Sequence, residues 1–123
     1  MIATREVSDY RIQRVINLVE QQPRRRVKDL AKEINLSASR LEHLFKEETG
    51  RRLSRFIQHH KLERASELLR STPMQVKEIS YTVGYEHSAS FVRAFKEKFQ
   101  LTPQHYRGMA ATRAHEDQLV MSL

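Results

Sequence analysis

The sequence predicts an all-α fold of seven helices, arranged as two helix-turn-helix lobes that a long linker helix joins. Glycine stands at only three of the 123 positions, whereas Leu, Ala, Glu, Lys and Arg, which favour helices, are common. Apolar residues recur three and four positions apart, as on the buried face of a helix. A segment of the first half also returns about 50 residues later, which indicates two similar lobes.

Three helices are predicted in the first lobe, which we place at residues 8–52. Ser8 is expected to cap the first helix and Ser37 the third, because a serine hydroxyl at the N-cap accepts a hydrogen bond from the helix start. Gly50 suits the left-handed residue that follows the third helix. The predicted helices of this lobe span 8–21, 27–34 and 38–49.

The linker is predicted at residues 53–71, and its helix ends before Pro73, which would interrupt a helix. The second lobe follows at 72–108. The predicted helices from the linker onward span 53–70, 76–82 and 88–99, and a last short helix begins at Thr102-Pro103. Beyond that helix the apolar pattern fades, so 109–123 is expected to be a frayed tail.

The charge of the chain indicates which partners it could bind. The formal charge is +7 and the pI is near 10.1, which favours a polyanionic partner, although a basic surface that is merely solvated is the alternative. The absence of cysteine excludes disulfides, thiolate zinc sites and cysteine nucleophiles. No apolar run is long enough to span a bilayer, and the first residues lack the apolar core of a signal peptide. We therefore expect a cytoplasmic protein with no membrane partner.

The internal repeat has the residue pattern of a helix-turn-helix in both copies. The copies are VKDLAKEINLSASRLEHLFKEETG (27–50) and VKEISYTVGYEHSASFVRAFKEKFQ (76–100), the second with one inserted residue. A small residue, Ala31 or Ser80, stands where two helices cross closely, and Asn35 or Gly84 follows four residues later at a left-handed turn. An ordinary helical hairpin would explain one copy, but two copies on a basic chain favour DNA binding.

The second copy also contains a specific motif. It reads I-x-x-x-V-G-Y-x-x-x-x-x-F-x-R-x-F-K from Ile79, and T-P-x-x-Y-R follows from Thr102. Further matching positions are Ala31, Ser37, Leu41, Phe45-Lys46, Thr49-Gly50, Lys61-Leu62, Ala65 and Leu68-Leu69. On these residues the chain resembles the DNA-binding domain of the AraC/XylS family of transcription regulators, over roughly residues 8–108.

The resemblance implies two lobes that the helix at 53–70 joins rigidly. Each lobe would place one recognition helix in successive major-groove segments on one face of duplex DNA. It further implies a bacterial regulator, an activator or a repressor, with RNA polymerase as a candidate partner. Four residues depart from the family's usual choice without breaking the fold, namely Arg26, Lys61, Ser80 and Gln100.

Many family members carry an additional sensing or dimerisation domain, so the chain is either a stand-alone regulator or part of a longer one. We expect an isolated DNA-binding domain that acts as a monomer. Because the two lobes differ in sequence, their DNA site should be asymmetric.

The outer faces of the recognition helices, 38–49 and 88–99, hold the candidates for base reading. Residues near the N-terminal ends of such helices go deepest into the major groove. Arg40 and Arg93 could each contact a guanine through two hydrogen bonds, and Glu42 could accept from cytosine N4 or exclude phosphate. The full set is Ser39, Arg40, Glu42 and His43 in the first lobe and Ser88, Ala89, Val92 and Arg93 in the second. In this set, Ala89 and Val92 could sense only a thymine methyl or the shape of the groove.

Basic residues on or near the recognition helices are the candidates for phosphate contacts. They are Arg26, Lys46, Arg51, Arg55 and Lys96. A phosphate contact or a structural role is the alternative for Arg93, and a solvated side chain is the alternative for His43. The arginine run 24–26 could equally be a solvated loop.

Neither catalysis nor cofactor binding is predicted. The chain has no glycine loop to hold phosphates, and its six histidines are scattered. His59 and His60 are adjacent on a helix and point about 100° apart, which is poor geometry for a shared metal ion. A protein-binding or RNA-binding helical module is the other class to consider. Binding of structured RNA would favour exposed aromatic side chains, whereas the phenylalanines here mostly occupy core positions.

Overall fold

A computed structural model of the protein describes residues 7–121. Every regular element in this part of the chain is an α-helix, so the predicted all-α fold is confirmed. The helices are α1 (Tyr10–Gln21), α2 (Val27–Glu33), α3 (Ala38–Thr49), α4 (Leu53–Ser71), α5 (Val76–Thr82), α6 (Ser88–Phe99) and α7 (Pro103–Met121). The chain divides into two compact units after Lys61, inside α4.

The first unit packs α1, α2, α3 and the first part of α4 around one apolar core. The most deeply buried side chains are Ile12, Val15, Val19, Leu30, Leu41, Phe45, Leu53 and Phe56. The rings of Phe45 on α3 and Phe56 on α4 lie 5.3 Å apart between centroids. Because α3 is held through this inner face, its opposite face remains in contact with solvent.

The start of α1 differs from the prediction that Ser8 caps it. The N-cap is Asp9, whose carboxylate accepts a hydrogen bond from the backbone N–H of Arg11 at 2.9 Å. Aspartate caps as well as serine does, and here the Arg11 side chain also binds the same carboxylate. The hydrogen bond from that side chain lowers the pKa of Asp9. The Ser8 hydroxyl instead donates to Glu48 of α3, at 3.2 Å.

Each unit has two left-handed backbone positions. Asn35 (φ 58°) and Gly84 (φ 108°) form the turns that precede α3 and α6, as the repeat predicts. Gly50 (φ 77°) ends α3, and Gln100 (φ 63°) ends α6 in the same conformation. Gln100 stands where the family usually has glycine, and its side-chain amide donates to the carbonyl of Glu97 at 2.8 Å.

The second unit packs the later part of α4 with α5, α6 and α7 around a separate core. Its most deeply buried apolar side chains are Leu62, Ala65, Leu69, Ile79, Val83, Phe91 and Phe95. Aromatic rings dominate this core, since Phe95 has Phe91, Phe99 and Tyr106 as ring neighbours. Helix α6 is thereby held through its inner face, as α3 is.

The internal repeat includes more of the chain than its sequence pattern indicates. The buried positions that correspond are Ile12 and Leu62, Val15 and Ala65, and Val19 and Leu69, each pair 50 residues apart. No pair shares a residue type, so sequence comparison alone does not reveal the match. Each unit therefore has one helix that precedes its helix-turn-helix and packs against it, α1 in the first unit and the later part of α4 in the second. We call these two the scaffold helices.

The beginning of α7 is tied to the end of α4 within the second unit. The Arg107 guanidinium donates from Nε to the carbonyl of Leu69 at 3.0 Å and from Nη2 to the carbonyl of Thr72 at 3.1 Å. Arg70 donates to the Tyr106 hydroxyl at 2.6 Å. Arg107 thus satisfies carbonyls that have no partner within α4, as a charged side chain at a helix C-terminus does.

The end of α7 corrects the prediction of a short last helix and a frayed tail. Residues 109–121 are helical, because this segment contains three alanines and neither glycine nor proline. Its side chains are exposed except for Ala110, which explains why the apolar pattern fades there. Residues 122 and 123 of the predicted tail lie outside the described residues.

A buried serine yields a testable difference between the two units. The Ser80 side chain is fully buried, and its Oγ has no hydrogen-bond partner, whereas the equivalent residue in the first unit is Ala31. Ser80→Ala should raise the free energy of unfolding by about 1 kcal/mol, because it removes a desolvated hydroxyl. Ala31→Ser is the matched reverse change and should lower it by a similar amount. Urea unfolding followed by circular dichroism measures both, and a destabilised Ser80→Ala would contradict the assignment.

Candidate nucleic-acid interface

Helix α3 presents the predicted base-reading residues of the first unit. Ser37 caps it, as predicted, by accepting from the backbone N–H of Arg40 at 3.1 Å. Leu41, Leu44 and Phe45 face the core, so the residues between them face solvent. The exposed side chains include all four predicted readers, Ser39, Arg40, Glu42 and His43.

His43 has a neighbour on its own helix. Its Nε2 lies 3.4 Å from a carboxylate oxygen of Glu47, one turn later. Both side chains are mostly exposed, so this contact holds the imidazole only weakly. A base edge could therefore replace Glu47 as its partner.

Helix α6 presents the second set with less exposure. Phe91 and Phe95 face the core, and Ala89 and Arg93 are exposed as predicted. Ser88 and Val92 are only half-buried, and Val92 packs partly against the second core. The second unit consequently offers one long exposed reader, Arg93, beside small or partly covered side chains.

Two residues that the sequence did not single out lie beside this surface. Lys77 of α5 and Gln104 of α7 line an open groove of ≈ 540 Å³ together with Ser88 and Val92. Both are exposed and polar. Their proximity depends on the packing of α5 and α7 around α6, and helical periodicity within one segment does not predict such packing.

The predicted phosphate contacts are exposed basic side chains. No ion pair within residues 7–121 involves them, and all are exposed. They are Arg26, Lys46, Arg51, Arg55 and Lys96. Arg40 and Arg93 likewise form none of these pairs. Such uncompensated positive charge attracts a polyanion.

The turn before α6 is held by an aromatic contact. Tyr85 follows Gly84, and its ring lies 5.5 Å from that of Phe91. Burial raises the pKa of the Tyr85 phenol. The side chain therefore stays neutral at physiological pH and packs as part of the second core.

Within residues 7–121, no cluster of His, Asp or Glu could hold a metal ion. In the same segment no helix is long and apolar enough to cross a bilayer. The first six residues, on which the expectation about a signal peptide partly rests, lie outside the described part of the chain.

A family model described as "Helix-turn-helix domain" matches residues 30–109, well over half of the chain. This match begins inside α2 and runs through α3, α4, α5 and α6 into the first part of α7. The chain belongs to the AraC/XylS family. Residues 30–109 are thus a DNA-binding domain of the kind found in AraC-family transcription regulators.

Curated regulators are similar to this AraC-type domain over most of its length. It is 35% identical over 82 residues to the Msm operon regulatory protein of Streptococcus mutans, covering 67% of this chain and 30% of that protein. It is 40% identical over 74 residues to the Xylose operon regulatory protein of Escherichia coli, covering 60% of this chain and 19% of that protein. The AraC-type chain thus spans less than a third of these relatives.

Solved structures show the same fold. The C-terminal domain of AraT, a response regulator from Geobacillus stearothermophilus, matches with a TM-score of 0.73 at 27% identity, over 82% of this chain and 86% of that one. The DNA-binding domain of AdpA, in complex with a target DNA, matches with a TM-score of 0.72 at 22% identity, over 87% and 96%. The AdpA likeness shows the fold of the AraC-type domain and no more.

Proposed function

We propose that this AraC-type domain reads an asymmetric duplex-DNA site with α3 and α6, one recognition helix in each of two successive major-groove segments. The observation that carries the proposal is the duplicated unit, in which the same inner face of each recognition helix is buried and a polar or basic outer face is exposed. A helix presented in this way fits the width of the major groove.

The two helices offer different chemistry to the bases. In the first unit, Ser39, Arg40 and His43 supply hydrogen-bonding groups, and Glu42 accepts from cytosine N4 or repels phosphate. In the second unit, Arg93 is the one long exposed reader, since Val92 and Ser88 are half-buried. We therefore assign most of the sequence choice to the first unit. The second contributes one arginine contact, groove shape and phosphate affinity.

The phosphate contacts supply affinity that does not depend on sequence. Lys46 and Lys96 are exposed at equivalent positions of α3 and α6, and neither forms an ion pair with another residue of 7–121. Arg26, Arg51 and Arg55 add exposed charge in the first unit. Each phosphate that is neutralised releases condensed counterions, so binding should weaken steeply as salt rises.

Selection of duplexes from a random pool, followed by footprinting, tests this mode of binding. Two short dissimilar blocks whose centres are about 10–10.5 base pairs apart are the expected result. A single block would mean that one unit alone reads bases, and a palindrome would indicate a symmetric dimer. Titration of duplex DNA against structured RNA at several salt concentrations excludes an RNA-binding module if only DNA binds with a sequence preference.

A monomer is the expected functional state because one chain supplies both recognition helices. Sedimentation of the complex on a duplex with one site should give one chain per duplex. As a transcription regulator, the protein is expected to act in the cytoplasm, with RNA polymerase as its candidate protein partner. Recruitment of purified polymerase to a promoter that contains the selected site would test that assignment.

Replacement of Lys46 separates affinity from specificity. Lys46→Ala should weaken binding to all sequences and reduce the slope of log affinity against log salt by about 1, because one phosphate contact is lost. Arg64→Ala is the control, since its guanidinium already lies 3.1 Å from the Glu67 carboxylate. The control should leave the slope nearly unchanged. A loss confined to one DNA sequence would count against a phosphate role for Lys46.

A further inference from the structure

The start of α1 is capped by a residue from the recognition helix α3. The backbone N–H of Asp9, the N-cap of α1, donates to the Glu48 carboxylate at 2.8 Å. The Ser8 hydroxyl donates to the same oxygen at 3.2 Å. In a capping box, a glutamate at the third position of the helix itself accepts from the N-cap N–H. That position in α1 is Ile12, and the glutamate comes from 39 residues away.

This contact joins the last turn of α3 to the first turn of the scaffold helix α1. The core contacts of α3, through Leu41, Leu44 and Phe45, are apolar and not directional. A charge-assisted hydrogen bond is directional, and the Glu48 carboxylate also meets the positive end of the α1 dipole. The contact is partly buried, so water screens it less than it screens a surface ion pair.

We propose that Glu48 is a positioning residue that sets the orientation of α3 and thereby the sequence preference of the first unit. The inference rests on the proposed base-reading role of α3. A contact through two hydrogen bonds to a base edge requires placement within about 0.5 Å and 10–20°. If α3 rotates or slides beyond that range, Arg40 can no longer make both hydrogen bonds to a base edge. Contacts of flexible side chains to phosphate are retained.

The second unit has a contact of opposite charge at the equivalent position. Lys98 stands 50 residues after Glu48 near the end of α6, and its amino group lies 3.7 Å from the carboxylate of Glu63 on the scaffold helix α4. The same position of each recognition helix thus connects to the scaffold helix of its own unit, through different chemistry. This recurrence supports a positioning role for the site.

Two substitutions of Glu48 distinguish positioning from charge. Glu48→Ala removes both the acceptor and the charge, whereas Glu48→Gln removes the charge and keeps an acceptor oxygen for the Asp9 N–H. The ratio of affinity for the selected duplex to affinity for an unrelated duplex is measured for the whole chain at fixed salt. Glu48→Ala should lower this ratio about fivefold or more, and Glu48→Gln should change it less than about twofold. Bases selected anew by Glu48→Ala should change only in the block that the first unit reads.

Three results would overturn the proposal. Equal effects of the two variants would assign the change to charge, no effect would remove the positioning role, and an equal loss on both duplexes would indicate only lost stability. Glu33→Gln is the control, because it removes a carboxylate that pairs with Arg14 of α1 from outside α3. If Glu48→Ala does not fold, Ser8→Ala removes one of the two hydrogen bonds to Glu48. It should lower the ratio in the same direction, and an unchanged ratio would sink the idea.

Arg40→Ala separates failure of this inference from failure of the proposed function. If α3 reads bases and Glu48 does not position it, Arg40→Ala changes the base preference and Glu48→Ala does not. If α3 does not read bases, neither variant changes the preference. Both patterns count against the positioning role, but only the second counts against the proposed interface.

Discussion

Alanine in place of Phe95 is expected to destabilise the second unit by about 3–5 kcal/mol. The ring is fully buried, and its centroid lies 4.4 Å from that of Phe99, 5.7 Å from Phe91 and 5.3 Å from Tyr106. These neighbours come from α6 and α7, so the cavity would lie where the two helices pack together. Natural domains are stable by only about 5–15 kcal/mol, and a loss of this size would leave the second unit marginal.

Urea unfolding of the whole chain, followed by circular dichroism, measures the loss. Tyr81→Ala is the control in the same unit, because that aromatic side chain is 46% exposed and should cost far less. DNA footprinting provides a second measurement. Phe95→Ala should remove protection from the block that α6 reads and leave the other block protected. A loss of stability below about 1 kcal/mol would show that the cavity collapses or that the ring contributes little.

The bounds of the middle helices follow from local signals, which is why the sequence predicts them well. Ser37 caps α3, and Gly50 ends it in a left-handed conformation. Gly84 forms the turn before α6. In each case the deciding residue lies within a few positions of the helix end. The predicted spans 38–49, 76–82 and 88–99 therefore agree with α3, α5 and α6.

The errors arise where the sequence offers two comparable local choices or a weak pattern. Ser8 and Asp9 are both good N-caps. Glu48, which is remote in sequence, accepts hydrogen bonds from the Ser8 hydroxyl and the Asp9 N–H, and the Asp9 carboxylate caps α1. Residues 109–121 lack an apolar stripe but have high helix propensity, so the absence of burial does not mean the absence of a helix.

Some features of the candidate interface also follow from local signals, and others depend on tertiary packing. Helical periodicity separates the buried face of α3 from Ser39, Arg40, Glu42 and His43, because it needs only the positions within one helix. Partial cover of Val92 by the second core is a tertiary effect, and so is the placement of Gln104 beside it. Local patterns cannot predict such contacts.

Arg93→Ala should weaken binding to the selected duplex by about 1–3 kcal/mol and relax the preference at one base pair. Arg93 is exposed on α6 and forms no ion pair within the described residues, so its guanidinium is available for a guanine edge. Neither Ala89 nor Val92 can replace its hydrogen bonds. The second block should therefore lose its most strongly selected position, while the first block is retained.

Arg93→Lys shows whether geometry or charge is responsible. Lysine keeps the positive charge but lacks the planar fork that makes two parallel hydrogen bonds to one base. If Arg93 reads a base, the lysine variant should lose the preference at that base pair and keep the salt dependence of the parent. If Arg93 contacts only phosphate, the lysine variant should bind like the parent, and the alanine variant should lose affinity equally on all duplexes. The second pattern would leave α6 without a directional reader, and its block would then depend on groove shape alone.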